Sequence, residues 1–305
     1  MLQGVEDYKE TAITIYNEAG ELIEKTVNYL DDKGFMTDEE VKAEEAEKAR
    51  QEEIERAAKA FEELLSKVSE ETRKILEQTG WDGEPLNISQ NPDVLDQSTT
   101  TLKGNGLPGN TGACIFLSTI YGAADVLGIT LTPEQIATIY NAAKNNGSVN
   151  SGDSAYYVND YTNLAKTVAA VVNGLPADKK NLQASAEKAG AGNLNCPNGG
   201  ALIKTDTKQA VTKDIVDTLN NNGSVQIRYD ADPTKPGTVA HTMRVTGSFI
   251  ENGNVILTIK DTYYPDKETF VDTSTYILYR KDKDGRRVES ERPVYNYRPT
   301  TNGKK

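Results

Sequence analysis

The hydrophobic repeat of the larger, C-terminal part of this chain changes once, and that change limits the folds open to it. From residue 113 to about residue 220 apolar side chains recur at helical spacing. From Ser224 onward, in "SVQIRYD", "HTMRVTGSFI", "NVILTIKDTYY" and "ETFVDTSTYILYRK", they alternate with period two, as strands with one buried face do. Helices followed by an antiparallel sheet predict an α+β domain. A chain of 305 residues has room for one large domain or two modest ones.

The start of the chain obeys other rules. Residues 11–30 alternate on both sides of Glu18-Ala19-Gly20-Glu21 and predict a β-hairpin. "YNEAGELIEKT" within it resembles one unit of the tyrosine-aspartate repeats of large bacterial shell-forming proteins. From Thr37, which forms a capping box with Glu40, the sequence turns rich in Ala, Glu, Lys and Leu and predicts a long helix over 38–67. Ile54, Ala57, Ala58, Phe61, Leu65 and Val68 form its narrow apolar stripe. Residues 37–79 hold 14 acidic and 8 basic side chains, half of the net charge of −12. Such a helix is a solvated face or a coiled-coil surface for a protein partner. A second helix should start at Ser69 and stop at Gly80.

The domain plan is a hairpin segment at 1–36, a charged helical region at 37–80, a linker at 81–104, the main α+β domain at 105–281 and a C-terminal tail at 282–305. Helices are expected at 113–127, after Thr132 with Pro133 at its first position and Gln135 closing a capping box, around "DYTNLAKTVAAVVNG", and at 207–220.

The charge balance, 34 basic against 46 acidic residues, lacks a polybasic footprint and argues against nucleic acid or an anionic membrane as partner. No apolar run reaches the roughly 18 residues of a membrane span, and "MLQGVEDYKE" lacks the pattern of a signal peptide. The expectation is a cytoplasmic protein or a piece of a larger exported one. A single histidine, His241, rules out sites that need two imidazoles, and the two cysteines suggest neither a disulfide framework nor a metal site.

Three residues combine into a chemistry. Cys114 stands where a glycine-broken loop enters a helix, in "GNGLPGNTGACIFLSTIYG"; His241 opens a strand, and Asp261 ends the next one. A helix N-terminus carries partial positive charge and free N–H groups, which favour a thiolate and can hold an oxyanion. An imidazole can take the thiol proton and later protonate a leaving amine, while a carboxylate orients the ring. No cofactor is required. Cys196, in "NLNCPNGGAL", is surrounded by neutral turn residues and receives no role.

The order and setting of these residues resemble the papain-like cysteine peptidases, most closely the bacteriocin-processing branch. Cys114 and Ser118 match its C-x-x-x-[ST]; His241, Val245 and Gly247 match H-x-x-x-V-x-G; Asp261 and Tyr264 match D-x-x-Y. The resemblance, over residues 105–281, implies a papain-like α+β fold and a Cys-His-Asp hydrolase acting on a peptide or protein substrate through a thioester. It also implies a glutamine six residues before the nucleophile. Pro108 stands there, and Asn110 is the nearest carboxamide for the oxyanion. Two other readings share the fold, a deamidase or toxin-type effector domain of a larger secreted protein and an inactive peptide-binding module.

Register offers a check that needs no family. A three-residue loop Glu251-Asn252-Gly253 would pair Ile250 with Asn254 and Met243 with Asp261. His241 and Asp261 would then share one face with Met243, Val245 and Ile259, leaving Thr242, Arg244, Thr246 and Lys260 on the other. A two-residue turn would set Val245 opposite Lys260 and put Asp261 on the wrong face.

Overall fold

A computed structural model of the chain describes residues 11–16, 22–27, 29–31, 34–109, 112–151, 156–196, 199–230 and 240–302. It divides into two compact units, 1–66 and 67–305. In the first, β1 (Thr11–Tyr16) and β2 (Leu22–Val27) form the expected antiparallel hairpin, with Tyr16 opposite Leu22. Its turn, 17–21, lies outside the described residues. A second small hairpin, β3 (Tyr29–Asp31) and β4 (Gly34–Met36), precedes α1 (Asp38–Leu65). The Thr37 capping box is present, with the Glu40 N–H donating to the Thr37 hydroxyl and the Glu40 carboxylate accepting from the Thr37 N–H.

The second unit mixes helix and strand, as the change of period predicts. It opens with α2 (Glu70–Thr79), capped by Ser69 and ended by Gly80 in the left-handed region. Next come β5 (Leu86–Asn87), α3 (Thr99–Gly104), α4 (Cys114–Leu127), α5 (Pro133–Asn145), the hairpin β6 (Val149–Ser151) and β7 (Tyr156–Val158), α6 (Tyr161–Val172) and α7 (Leu182–Lys188). Apolar faces of α4, α5 and α6 meet in one core around Phe116, Leu117, Ile120, Ile139, Leu164 and Val168. The α5 entry is as read, Thr132 capping, Pro133 in the first turn and Gln135 closing the box.

Short strands β8 (Leu194–Asn195) and β9 (Ala201–Leu202) lead to α8 (Lys208–Asn220), and the sheet follows: β10 (Ser224–Asp230), β11 (Ala240–Glu251), β12 (Asn254–Lys260), β13 (Thr269–Asp272), β14 (Ile277–Lys281) and β15 (Arg287–Asn302). Consecutive strands pair antiparallel. The long β15 pairs with β14 through its first half and with β10 through its second, so the six strands form a closed hydrogen-bonded ring. Closure removes exposed sheet edges. Helix α4 packs against β10 and β11, and α8 against β10 and β15.

Several expectations change here. The stretch "ETFVDTSTYILYRK" is two strands, because Asp272 accepts from the Ser274 N–H and hydroxyl and Tyr276 takes φ +57°, which turns the chain back. Residues 282–305, expected as a tail, supply β15. Residues 81–104, expected as a linker, are anchored: Trp81 is 1% exposed, β5 pairs with β11, and the buried Asn91 amide donates to Asp125 Oδ1 and the Ile129 carbonyl. The second unit starts ahead of α2, since Ile75 and Leu76 are buried and the Ser69 N–H donates to the Gly253 carbonyl at 2.9 Å. Removal of residues 1–66 is therefore expected to leave a cooperatively unfolding remainder, whereas removal of 1–80 should cost several kcal/mol, at about 2 kcal/mol for each buried large aliphatic lost. Urea unfolding of the two truncations checks this; equal midpoints would contradict it.

Register decides the site. The β11–β12 connection is the two-residue Asn252-Gly253 turn, both residues at positive φ (53° and 79°), with Glu251 opposite Asn254. That is the turn expected to misplace Asp261. A bulge between Val245 and Gly247 restores the count, so Val245 faces Ile259 and Arg244 faces Lys260. Gly247 sits at this bulge because β5 crosses it: a Cβ there would lie 2.1 Å from the Leu86 carbonyl oxygen.

Candidate active site

Cys114 is the first residue of α4, His241 the second of β11, and Asp261 the residue after β12. All three are buried, with 7%, 7% and 1% of their surface exposed. His241 Nε2 lies 2.6 Å from Asp261 Oδ1, and the ring's other side is hydrogen-bonded to the Cys114 thiol. With Nε2 engaged by the carboxylate, Nδ1 is the ring nitrogen left for the sulfur. Three groups from three elements, a thiol, an imidazole and a carboxylate, are thus brought together.

Local sequence explains each placement. Ala113 caps α4 without a side-chain hydrogen bond, so the first-turn N–H groups have no capping side chain to satisfy them. The backbone at Ile115 and at Thr242 hydrogen-bonds the sulfur. One turn further on, the Ser118 hydroxyl donates to the Thr242 carbonyl at 3.2 Å, tying the nucleophile's helix to the strand of the base. Beyond it, Gln226 Nε2 donates to Thr119 Oγ1 at 2.7 Å, and Arg244 Nη1 lies 3.1 Å from Asp125 Oδ2, an ionic contact without hydrogen-bond alignment. On the polar side of β10 and β11, Gln226 and Arg244 are buried under α4, which meets them with Thr119 and Asp125.

Asp261 is held on both oxygens. Oδ1 also accepts from the Tyr263 N–H at 2.9 Å, and Oδ2 lies 3.1 Å from Arg280 Nη2. Burial would raise its carboxyl, but His241, the Tyr263 N–H and Arg280 together hold it below the usual range. Burial also opposes charge on His241; the bonds to Asp261 and Cys114 outweigh it and raise the ring to about 9. Burial likewise pushes the Cys114 thiol up, yet the hydrogen bond and charge of His241, with the Thr242 and Ile115 backbone, bring it below the ordinary thiol value. The electrostatics favour a thiolate–imidazolium pair.

Aromatic rings frame the base. Tyr229 meets the His241 ring edge-on with centroids 5.2 Å apart, and Tyr263 does so at 5.9 Å. On the nucleophile's side the Tyr156 hydroxyl donates to the Pro108 carbonyl at 2.6 Å.

Two expectations need comment. Asn110 lies outside the described residues, as do 231–239, which lead into His241. Cys196, read as part of an open polar loop, is fully buried, with the Thr300 hydroxyl 3.1 Å from its sulfur. Burial raises its thiol, the opposite of Cys114. Sequence reasoning missed Arg280, whose strand is not adjacent to that of Asp261, and the Asp125–Arg244 pair. Gln97 was missed as well. It is buried, its N–H donates to the Thr262 carbonyl and its side-chain oxygen accepts from the Thr262 hydroxyl, fixing the turn after Asp261. Among the described residues no cluster of three or more His, Cys, Asp or Glu side chains could hold a metal ion, and no helix is long and apolar enough to cross a membrane. No protein-family model matches the chain, and no curated protein matches it.

Proposed function

We propose that the second unit is a papain-like cysteine hydrolase, similar to the bacteriocin-processing peptidases, that cleaves a peptide or carboxamide bond. The observation that carries this reading is the buried set Cys114, His241 and Asp261, in which the imidazole is hydrogen-bonded to both thiol and carboxylate. A helix presenting Cys114 against an antiparallel ring presenting His241 and Asp261 supports the papain-like fold.

The chemistry follows from those positions. His241 holds the thiol proton, and the Cys114 sulfur attacks the carbonyl carbon, forming a C–S bond and an oxyanion. The free N–H groups at the start of α4 face negative charge developing there. Collapse breaks the C–N bond as the imidazolium gives its proton to the leaving amine or ammonia. Neutral His241 then takes a proton from water, whose oxygen attacks the thioester; the thiolate departs and the acid is released. Asp261 keeps the ring in the orientation that both transfers need.

Turnover requires the imidazolium, so the rate should fall above about pH 9 as His241 loses its proton. Incubation with a peptide vinyl sulfone, whose alkene adds a reactive cysteine thiolate to give a stable thioether, followed by intact-mass measurement, tests the reading. One adduct on the wild type and none on Cys114→Ala is the expected result. An adduct that survives in Cys114→Ala, or none on either protein over a broad panel of vinyl sulfone peptides, overturns it.

A further inference from the structure

The geometry points to Arg280 as a positioning residue that neutralises Asp261 from behind, so that the carboxylate orients His241 without opposing negative charge on Cys114. This rests on the thiolate reading above.

A carboxylate in the orienting position has a cost that an amide does not. With Cys114 as thiolate, His241 protonated and Asp261 ionised, the three groups carry a net charge of −1 in a buried site, and Asp261 disfavours the thiolate at the far end of the ring. A cation on the remaining carboxylate oxygen brings the total to zero. Arg280 is built to supply it. It stands on β14 opposite Thr269 of β13 and reaches past that strand, its Nε donating to Thr269 Oγ1 at 3.3 Å and its Nη2 lying 3.1 Å from Asp261 Oδ2. Its guanidinium lies over the Tyr264 ring, 4.3 Å from the centroid, which holds the plane in place. Asp261 Oδ1 is already taken by His241 and the Tyr263 N–H, so each oxygen has a separate task.

The other groups around the pair leave this role to Arg280. Among the described residues, α4 presents Cys114, β10 presents the phenol of Tyr229, the turn after β12 presents Tyr263 and Tyr264, and β13 presents the neutral Thr269. Gln97, from the segment before α3, brings a neutral amide to Thr262. Apart from the His241 imidazolium, Arg280 is the cation among the described residues that bears on Asp261.

The pH dependence of Cys114 alkylation by iodoacetamide, followed by peptide mass spectrometry with the buried Cys196 as internal reference, tests the assignment. Loss of the positive charge should move the Cys114 midpoint to higher pH, by about one unit or somewhat less given that Asp261 stands between. Arg280→Met and Arg280→Gln should both show this shift, and Arg280→Lys should show less than half of it. In an Asp261→Asn background, where the arginine has lost its anchor, Arg280→Met should move the midpoint by less than half as much as in the wild type. A rise in Cys196 alkylation marks a damaged fold in any variant, which is why two neutral replacements are used. If the wild-type midpoint is depressed and depends on His241 but both neutral variants superimpose on it, the role of Arg280 is overturned while the hydrolase reading stands. An undiminished shift in the Asp261→Asn background also overturns it, since Arg280 would then act independently of Asp261. A wild-type midpoint at the ordinary thiol value overturns both.

Discussion

His241→Ala is expected to slow iodoacetamide modification of Cys114 at pH 6 by roughly 10- to 100-fold. An ordinary thiol with a pKa near 8.5 is less than about 1% thiolate at that pH, whereas a thiol paired with an imidazolium is largely ionised. The lower intrinsic nucleophilicity of a low-pKa thiolate takes back part of this gain, which sets the range. Burial raises Cys114, and the bond and charge of His241, followed by the Thr242 and Ile115 backbone, lower it. Removal of the imidazole leaves burial dominant, so the thiol rises and reactivity falls. Asp261→Asn should have a smaller effect, because an amide oxygen can still accept from Nε2. Cys196, fully buried and raised by its surroundings, should stay slow in all three proteins. Equal rates at the two cysteines of the wild type would contradict the account.

The second large effect concerns stability. Asp125 and Arg244 join α4, which carries Cys114, to β11, which carries His241, and their side chains are 0% and 1% exposed. Asp125 Oδ1 accepts from the Gln90 N–H at 2.9 Å and from Asn91, while Arg244 Nη2 donates to the Asn91 carbonyl at 3.0 Å and the guanidinium lies 5.3 Å from the Tyr121 ring centroid. Burial keeps the Asp125 carboxyl above its usual range even beside the guanidinium, the sign of a pair that is costly to desolvate. Arg244→Ala leaves an unpaired buried carboxylate, and a loss of about 3–5 kcal/mol is expected. That is a large fraction of the roughly 5–15 kcal/mol that stabilises a typical domain. The double replacement Asp125→Leu with Arg244→Met should be close to neutral, because it removes both charges together. Urea unfolding midpoints separate the cases. A double variant as unstable as Arg244→Ala would show that shape and hydrogen bonds at this position, rather than charge pairing, hold α4 to β11.

The alternation of β11 and β12 made the pairing of His241 with Asp261 readable, because the buried set Met243, Val245 and Ile259 fits one register at that end of the hairpin. How the chain reaches that register was not readable from alternation. A bulge adds one residue without disturbing the pattern on either side of it, so a three-residue loop and a two-residue turn with a bulge lead to the same pairing at the site. Gly247, an isolated glycine inside a strand, was the available signal. Strand β15 stayed hidden for a different reason. "VESERPVYNYRPTTN" carries charges and two prolines, which demote a strand, and its pairing is settled by closure of the ring rather than by its own pattern. Misreading β15 as a tail also hid the burial of Cys196, whose sulfur meets Thr300 on that strand. Arg280 and the Asp125–Arg244 pair join residues distant in sequence whose partners only the folded sheet brings together.

The chain has one histidine, so its ring gives a single titrating set of proton resonances, and no assignment is needed to follow it. Nuclear magnetic resonance titration of that ring in the wild type and in Cys114→Ala is the most direct test of the site. If His241 bridges a thiolate and Asp261, the wild-type ring titrates near 9, and removal of the sulfur lowers that value by taking away the hydrogen bond and charge that Cys114 supplies. A ring that titrates near the ordinary value of about 6.5 in both proteins would contradict the paired site.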